Sequence, residues 1–524
     1  MLKRSRALAS VALIALTTGA TPVLAESLQE AISLAYRTNP TLLAQRANQR
    51  ALDESIVQAR AGLRPTINAT AGVDYSQTRT DRVTTTIPGQ SIAIDTNGDG
   101  TPDATGYLPA SSTTTGGKVE RDGATANISL SQNIWTAGRL SHGISAAEAN
   151  VLSGRENLRQ VEQQVMASVI QAYADVTRDL EILRIRQENL AVLRRQLEEA
   201  NARFEVGEIT RTDVAQSEAR LAQSESDLAS IQAQLSTSRA AYAAVVGQAP
   251  SNLQALPTLP GLPADFDTAM DVGLLENPGV LSAVHAQRAA EANVAAARAE
   301  YLPSARLNAS YGGTTDDLSG FNLGDRTSFT AGATISVPLF TGGLNRSRVA
   351  QALERANAAQ INVEGQRRAV LQSISSAYAQ SASARSSVLA GEQAVRAASV
   401  AAEGVRQEAQ VGLRTTLDVL NQELELRNAE VALTTARRNE YVAQAQLLAA
   451  MGRLGGPNLD PTIDAYDPAD NYRTVRNRGA LPWDGVIEAV DRLAAPAATP
   501  AVDAEDAPVD RQLKGEVVRT APQD

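Results

Sequence analysis

The sequence has 524 residues, and its 48 Lys and Arg against 58 Asp and Glu give a formal charge of −10. It contains no Cys, two His and 3% aromatic residues. These counts exclude a cysteine nucleophile, a zinc finger and a histidine-rich metal centre. The acidic balance, without a basic cluster, argues against a nucleic-acid partner.

Residues 1–25 have the pattern of a secretory signal peptide. Three basic residues precede an apolar run over 7–16, and small residues precede a predicted cut between Ala25 and Glu26. Removing the three basic residues leaves 45 basic against 58 acidic residues, a mature charge of −13. The apolar run is too short to cross a bilayer, and no later segment has the roughly 20 continuous apolar residues of a membrane helix. Any membrane insertion therefore has to use strands.

Two halves of the chain repeat each other, as repeat 1 (26–256) and repeat 2 (257–456). Asn39-Pro40 recurs as Asn277-Pro278 at an offset of 238, whereas Trp135-Thr136-Ala137-Gly138 recurs as Phe340-Thr341-Gly342-Gly343 at an offset of 205. The difference, 238 − 205 = 33, is the number of extra residues in repeat 1. Because this insertion is rich in Thr, Gly, Asp and Pro, we expect a long surface loop over about 77–122.

Each repeat predicts short helices interrupted by Asn-Pro, then two strands, then a helical hairpin. The segment 328–339 alternates apolar and polar residues, which suits either a β-sandwich face or the strand of an outer-membrane barrel. Since the smallest membrane barrels have about eight strands, four strands require an oligomer. The hairpins are expected over 139–248 and 344–452, with the three- and four-residue apolar spacings of a coiled coil.

Each predicted hairpin turns through the same sequence, Val-Gly-x-x-Thr-x-x-Asp, at 206–213 and at 411–418. Gly is favoured just after a helix, and Thr followed three residues later by Asp caps the next helix. A simple turn explains every residue of the motif, and residue chemistry alone favours that explanation over a functional tip.

Together these motifs resemble the TolC-type outer-membrane efflux and secretion channels, over about residues 26–456. The resemblance rests on the helix from Asn277 to Pro303, on 337–343 where strand becomes helix, and on the paired tips. It implies an internally duplicated α+β membrane channel with long antiparallel coiled-coil helices that form an α-barrel tunnel. It also implies a homotrimer whose protomers each give four strands to a shared 12-stranded transmembrane β-barrel.

The resemblance further implies location and partners. The trimer is expected in the outer membrane of a Gram-negative bacterium, in contact with its lipid and extending into the periplasm. A periplasmic adaptor and an inner-membrane pump of RND or ABC type are the expected partners, in efflux or type I secretion. Whether the cargo is a small molecule or a polypeptide is left open.

The resemblance also assigns roles to residues at the tips. It implies that the residues in contact with the adaptor are Gly207, Thr210, Gly412, Leu413, Arg414 and Thr415. It gives a gate and pore constriction to Asp213, Arg414, Asp418 and Asn421. We expect Asp418 to form the main acidic constriction and Arg414 to pair with Asp213. Asn421 departs from relatives that carry a second acidic residue there.

The insertion contains a candidate calcium loop formed by Asp95, Asn97, Asp99 and Asp103. Alternating oxygen ligands around a glycine are typical of calcium loops. The twelfth position is Gly106 rather than Glu, so the EF-hand pattern is incomplete, and a polar turn is the alternative. No other cofactor is expected.

Residues 457–524 contain eight Pro, 13 acidic and 7 basic residues, which favours a flexible tail. Docking of the amphipathic segment 486–493 onto the short helices is the alternative. The sequence has no P-loop, G-x-S-x-G or H-E-x-x-H motif, so we expect no enzyme. The rival function is a secreted trimeric coiled-coil adhesin or structural fibre with a small membrane barrel.

Overall fold

A computed structural model describes residues 26–316, 323, 324, 326–498, 500 and 512–514. The predicted signal peptide lies outside the described residues, as does most of the chain after 498. In chain order the elements are α1 (Leu28–Thr38), α2 (Pro40–Ala61), β1 (Thr66–Ile87), β2 (Gln90–Ile94), β3 (Ala104–Leu108), β4 (Ser111–Trp135), α3 (Arg139–Glu205), α4 (Arg211–Val246), α5 (Phe266–Glu276), α6 (Pro278–Ala299), β5 (Ser304–Thr315), β6 (Arg326–Ser336), α7 (Leu344–Gln410), α8 (Thr416–Met451), α9 (Gly456–Leu459), α10 (Pro468–Val475) and α11 (Asp484–Asp491). The fold is therefore mostly helical, with a smaller β component.

Four of the described strands form an antiparallel sheet in the order β1-β4-β5-β6. Residues paired across neighbouring strands lie on the same side of the sheet. Ile67 pairs with Leu130 and Tyr311 with Phe329, and all four lie on the apolar side. This apolar face is open in the single chain, where Ile67 is 68% and Phe329 is 72% exposed. The alternate residues, mainly Thr, Ser and Asn, form a polar opposite face. An apolar sheet face of this kind requires a covering layer.

The inserted segment of repeat 1 is largely strand rather than the expected loop over about 77–122. β1 and β4 stay paired from Asp74 opposite Gly123 to Ile87 opposite Ser111, and β2 and β3 add a second hairpin. The β-branched threonines of this segment favour extended backbone, which the Thr-rich composition also allowed. Because β5 ends at Thr315 opposite Ala124, the paired strands continue beyond the sheet as a projecting ribbon.

Two helical hairpins of matching dimensions leave the sheet. The ascending helices α3 and α7 each have 67 residues, and the returning helices α4 and α8 each have 36. At 1.5 Å per residue the longer helices span about 100 Å. Gly365, Gly391 and Gly404 lie inside α7 without interrupting it.

None of the helices in the described ranges is both long and apolar enough to cross a membrane.

The main hydrophobic cores lie where the short helices cross the hairpins. In repeat 1, Ile32 of α1 packs in the cluster that contains Tyr173 of α3 and Tyr242 of α4, both with 0% exposure. In repeat 2, Met270 of α5 packs in a cluster with Ile374 of α7. These cores fix the level at which each short helix rests on its hairpin.

The segment 457–498, which we call the strap, is ordered rather than flexible and follows α2 towards the sheet. Arg46 of α2 lies between the rings of Tyr36 and Tyr466, with its guanidinium carbon 4.4 and 4.8 Å from their centroids. Further along, Arg64 binds Asp484 at 2.8 Å. Cation–π and ionic contacts of this type hold an acidic segment that has little apolar surface of its own.

The strap ends on the junction where β4 becomes α3. Asp491 is 0% exposed, and its carboxylate accepts from the amide and hydroxyl of Thr136, both at 2.6 Å. It also accepts from the amide and hydroxyl of Ser141, at 3.1 and 2.7 Å. The N-cap residue of α3 is Gly138, which has no side chain to satisfy the first amides. Asp491 therefore supplies the missing cap from a distant part of the chain.

The apolar residues of the segment 486–493 contribute only partly to this docking, since Ile487 and Val490 are half-buried and the residues at its two ends are exposed. Val486 and Leu493 are 64% and 63% exposed, and the segment lies at the strand-to-helix junction rather than on the short helices. A polar contact replaces the expected apolar docking. The unsatisfied amides of α3 attract a carboxylate more strongly than a small apolar helix face attracts a second apolar surface.

We expect Asp491→Ala to lower the stability of the protein by about 3 kcal/mol, since it strands several buried donors. Hydrogen exchange should rise at the amide of Ser141. Asp470→Ala is the matched control, because that carboxylate is 81% exposed, and it should change stability by less than about 0.5 kcal/mol. Equal effects of the two substitutions would contradict the capping role.

Candidate functional site: the helical tips

The first hairpin turns through a compact backbone motif, tip 1 (206–213). The amide of Gly207 donates to the carbonyl of Phe204, and the amide of Glu208 donates to that of Arg203, both at 2.9 Å. Gly207 has φ of +77°, the left-handed conformation that completes this pair of bonds at a helix end. The end of α3 is therefore fixed by backbone geometry.

The second hairpin turns in the same way through tip 2 (411–418). Gly412 has φ of +80°, and its amide donates to the carbonyl of Ala409 at 3.0 Å. The amide of Leu413 donates to Glu408 at 2.9 Å. The two tips thus share one backbone design although their other residues differ.

An Asp three residues after a Thr caps each returning helix. The carboxylate of Asp213 accepts from the amide of Thr210 at 2.9 Å, and that of Asp418 accepts from the amide of Thr415 at 3.0 Å. The Thr210 hydroxyl contributes most to holding the pKa of Asp213 below its usual range, and the Thr415 amide does so for the pKa of Asp418. Both carboxylates are therefore ionised at neutral pH.

Each tip carries an ion pair, and the two pairs have opposite polarity. In tip 1 the cation Arg203 ends the helix and binds Glu208 in the turn at 2.7 Å. In tip 2 the acid Glu408 ends the helix and binds Arg414 in the turn at 2.7 Å. The expected pair between Arg414 and Asp213 is not formed. Glu408 belongs to the same turn as Arg414, so it reaches the guanidinium without crossing to the other tip.

The tips lie side by side around one cleft. Among its lining residues are five predicted site residues, Thr210, Asp213, Gly412, Arg414 and Thr415.

Apolar side chains project from the tips into solvent. Val206 is 78%, Val411 is 71% and Leu413 is 75% exposed. Exposed apolar groups at the end of a polar coiled coil are typical of a surface that binds another protein. Tip 2 presents more of this surface than tip 1, where Glu208 occupies the place of Leu413.

Polar links join the two hairpins behind the tips. Arg220 of α4 donates to the side-chain oxygen of Asn421 of α8 at 2.9 Å. Closer to the short helices, Arg438 of α8 binds Asp175 of α3 through two nitrogens, at 2.8 and 3.2 Å. Since α3 and α4 belong to repeat 1 and α8 to repeat 2, these links hold the hairpins together. Asn421 thus links the two hairpins, and its role at the gate stays a prediction.

Sequence reasoning missed the buried charge at Glu423. Its carboxylate is 1% exposed, pairs with Arg406 of α7 and lies 3.9 Å from Arg427. Glu423 stands three residues from both Leu420 and Leu426, so it shares their face of α8. The signal available in the sequence was an acidic residue at an apolar position of the coiled-coil seam. Its pairing fixes α7 against α8 near tip 2, because a buried carboxylate requires a cation.

The candidate calcium loop forms the turn between β2 and β3. One carboxylate oxygen of Asp95 accepts from the amide of Gly100 at 2.8 Å. Hydrogen bonds from groups of the same loop also reach the side-chain oxygens of Asn97, Asp99 and Asp103. In the described part of the chain, no three or more His, Asp or Glu residues form a group that could hold a metal. Calcium binding stays a prediction of the sequence pattern.

We expect Gly412→Ala to destabilise tip 2 by about 1–2 kcal/mol, since an L-residue there must keep a positive φ. No atom lies within 4 Å of the added methyl group, so backbone strain is the whole effect. Hydrogen exchange should rise at Leu413. Gly404→Ala, an open site within α7, is the control and should stabilise the helix by roughly 0.5–1 kcal/mol. A change in stability of the same sign for both substitutions would contradict the role of the positive φ at Gly412.

Comparisons with known proteins agree with this architecture. A family model described as outer membrane efflux protein matches residues 31–248 and 271–453. The outer membrane efflux protein BepC of Brucella suis biovar 1 (strain 1330) is 32% identical over 463 residues, which cover 88% of this chain and 92% of BepC. The outer membrane protein TolC of Vibrio cholerae serotype O1 is 29% identical over 84% of this chain and 94% of that protein.

Among solved structures, the open state of the Neisseria gonorrhoeae MtrE outer membrane channel matches with a TM-score of 0.65 and 23% identity. The match covers 82% of this chain and 89% of that channel, and it concerns the fold. The family resemblance predicted from the sequence is confirmed, with an outer-membrane location. Because the family model spans most of both repeats, this chain belongs to the outer membrane efflux protein family.

Proposed function

We propose that this outer-membrane channel is the exit duct of a tripartite efflux or type I secretion system. One observation carries the proposal. Two hairpins of equal length connect one apolar-faced sheet with two tips that share a cleft. A membrane-inserted end and a partner-binding end, separated by about 100 Å of helix, suit a conduit across the periplasm.

The sheet favours a trimeric barrel. In the described sheet, β1 and β6 are the two outer strands, and each has an edge without a partner. Pairing of β6 with β1 of the next copy closes three sheets into a 12-stranded barrel and removes every open edge. The apolar face that contains Ile67 and Phe329 then meets lipid, and the polar face lines the lumen.

The tips are the proposed contacts of a periplasmic adaptor, which couples the duct to an inner-membrane pump. Backbone geometry fixes Gly207 and Gly412, while Thr210 and Thr415 cap the helices that follow. Leu413 offers the exposed apolar group, and Arg414 adds charge beside it. A rigid turn with one apolar anchor loses little entropy when a partner binds.

In this proposal, contacts between the hairpins close the duct, and mutually repelling acidic groups line its entrance. The link from Arg220 to Asn421 supports closure because it crosses between repeats near the tips. Asp418 is the proposed acidic constriction. Three ionised copies around a threefold axis attract cations and disfavour anions.

The rival adhesin or fibre is not supported. Its single directional stalk does not explain two antiparallel hairpins that fold back to the sheet and to the short helices. The family consists of channel and transport proteins rather than enzymes, and we propose no catalytic role.

Reconstitution of the purified protein in liposomes tests the channel directly. We expect low ionic conductance at rest and a higher open fraction for Arg220→Ala and for Asn421→Ala. A link worth about 1 kcal/mol, repeated three times, gives about 3 kcal/mol and raises the open fraction by roughly 100-fold. The double variant should match the single ones, since both remove the same bond.

Arg194→Ala is the matched control, because the ion pair of Arg194 with Glu225 joins α3 to α4 within one hairpin. It should leave conductance unchanged. Absence of any conductance in wild type and variants alike, in liposomes that contain folded trimer, would overturn the proposed channel. An equal rise for Arg194→Ala would overturn only the role of the link.

The charge selectivity of single channels tests the constriction. We expect Asp418→Asn to weaken cation preference and block by divalent cations, with folding retained because the side-chain oxygen of asparagine can still accept from the Thr415 amide. The low pKa of Asp418, held down chiefly by the Thr415 amide, predicts selectivity that is constant near neutral pH and lost in acid. Asp213→Asn is the companion variant. Unchanged selectivity in Asp418→Asn would remove this residue from the constriction.

A further inference from the structure

The first described residue, Glu26, occupies a pocket at the base of the first hairpin. Its side chain is 3% exposed. The carboxylate accepts from the hydroxyl of Tyr242 at 2.6 Å, from the amide side chain of Gln248 at 2.7 Å and from the backbone amide of Ser251 at 3.1 Å. Three donors from the end of α4 and the following turn thus surround it. The site is built for a carboxylate.

The backbone of Glu26 is held as firmly as its side chain. Its nitrogen donates to the carbonyl of Asn252 at 3.1 Å, and its own carbonyl accepts from the amide of Gln254 at 3.0 Å. The hydroxyl of Tyr173 on α3 also donates to that carbonyl at 2.9 Å. These bonds attach Glu26 to α3 and to the segment that follows α4.

None of the described residues supplies a cation to the Glu26 carboxylate. All three donors to the carboxylate are neutral, and within the described ranges no Lys or Arg forms an ion pair with Glu26. Burial raises the pKa of Tyr173 most, and the carboxylates of Glu26 and Glu30 raise it further, to about 12, so a second carboxylate lies near the pocket. A buried carboxylate without a cation is costly, and evolution usually supplies a partner charge.

Repeat 2 has no counterpart of this site. At the offset of 238 that relates the short helices, the residue equivalent to Glu26 is Ala264, where the chain simply continues. Tyr378, which corresponds to Tyr173, instead packs against the ring of Phe266 at 5.3 Å. The pocket is therefore specific to the repeat that directly follows the predicted signal peptide.

We propose that this pocket is the receptor for the mature N-terminus, and that the α-ammonium released at Glu26 is the missing partner of the buried carboxylate. In the cleavage, water adds its hydroxyl to the Ala25 carbonyl carbon as the bond to the Glu26 nitrogen breaks. That nitrogen takes the remaining hydrogen and one proton from solvent and becomes a cation. Processing thereby neutralises the pocket and stabilises the first hairpin.

The inference depends on export but not on channel function. Its first test is amine labelling of the purified mature protein, because Lys118 and Lys514 are the only lysines after residue 25. With an acetylating reagent at neutral pH, the α-amine of the folded protein should react roughly tenfold more slowly than in denaturant, since pairing raises its pKa by about one unit. Lys118 is the internal reference for an exposed ion pair, since its side chain is 56% exposed and pairs with Glu120, and it should slow much less than the α-amine.

A second test separates the ion pair from the hydrogen bonds. Insertion of Gly-Ser between Ala25 and Glu26 moves the ammonium away, and mass spectrometry verifies the new chain end. We expect the insertion to lower the thermal-unfolding midpoint, and to do so far less in combination with Glu26→Ala. Equal effects of the insertion with and without Glu26→Ala, rapid labelling of the folded α-amine, or a mature chain that begins elsewhere would each overturn the proposal. Conductance of the same samples reports separately on the channel.

Discussion

The structure depends on the equal lengths of its two hairpins. Ascending helices of 67 residues and returning helices of 36 residues occur in both repeats, although the repeats differ elsewhere. Each added residue would shift one tip by 1.5 Å and rotate it by about 100°. The two tips meet around one cleft only because neither hairpin carries such a change. The 33-residue insertion is tolerated because it extends paired strands at the other end.

The two hairpins are stabilised differently along this shared length. The first contributes Tyr173 and Tyr242 to an apolar cluster that α8 also joins, whereas α7 leaves apolar residues such as Ile361 and Val400 55% and 74% exposed. A helix with apolar groups on its outer side requires neighbours. Within the chain, polar links through α8 supply part of that support. The second hairpin thus depends more on contacts with other elements than the first does.

The chain ends reinforce the same asymmetry. The strap caps α3 through Asp491, and Glu26 ties the start of repeat 1 to α3 and α4. No described residue covers the matching junction of repeat 2, where Leu339 and Phe340 are 93% and 90% exposed. Ala137, with φ of +51°, adopts at the covered junction a conformation that repeat 2 gives to a glycine. Contacts within the chain therefore cover the junction of repeat 1, whereas repeat 2 exposes apolar surface to solvent.

Sequence alone determined the duplication, the helix breaks at Asn-Pro and the turn at each Val-Gly tip, since these follow from local rules of capping and backbone conformation. Composition led to wrong predictions of a loop for the insertion and of a flexible tail for the strap. Thr-rich and Pro-rich segments can adopt several structures until a partner surface is present. Which charges meet was decided only by tertiary structure. Arg414 binds Glu408 rather than Asp213, and Asp491 caps a helix that begins some 350 residues earlier, because long-range pairing depends on where elements come together in space.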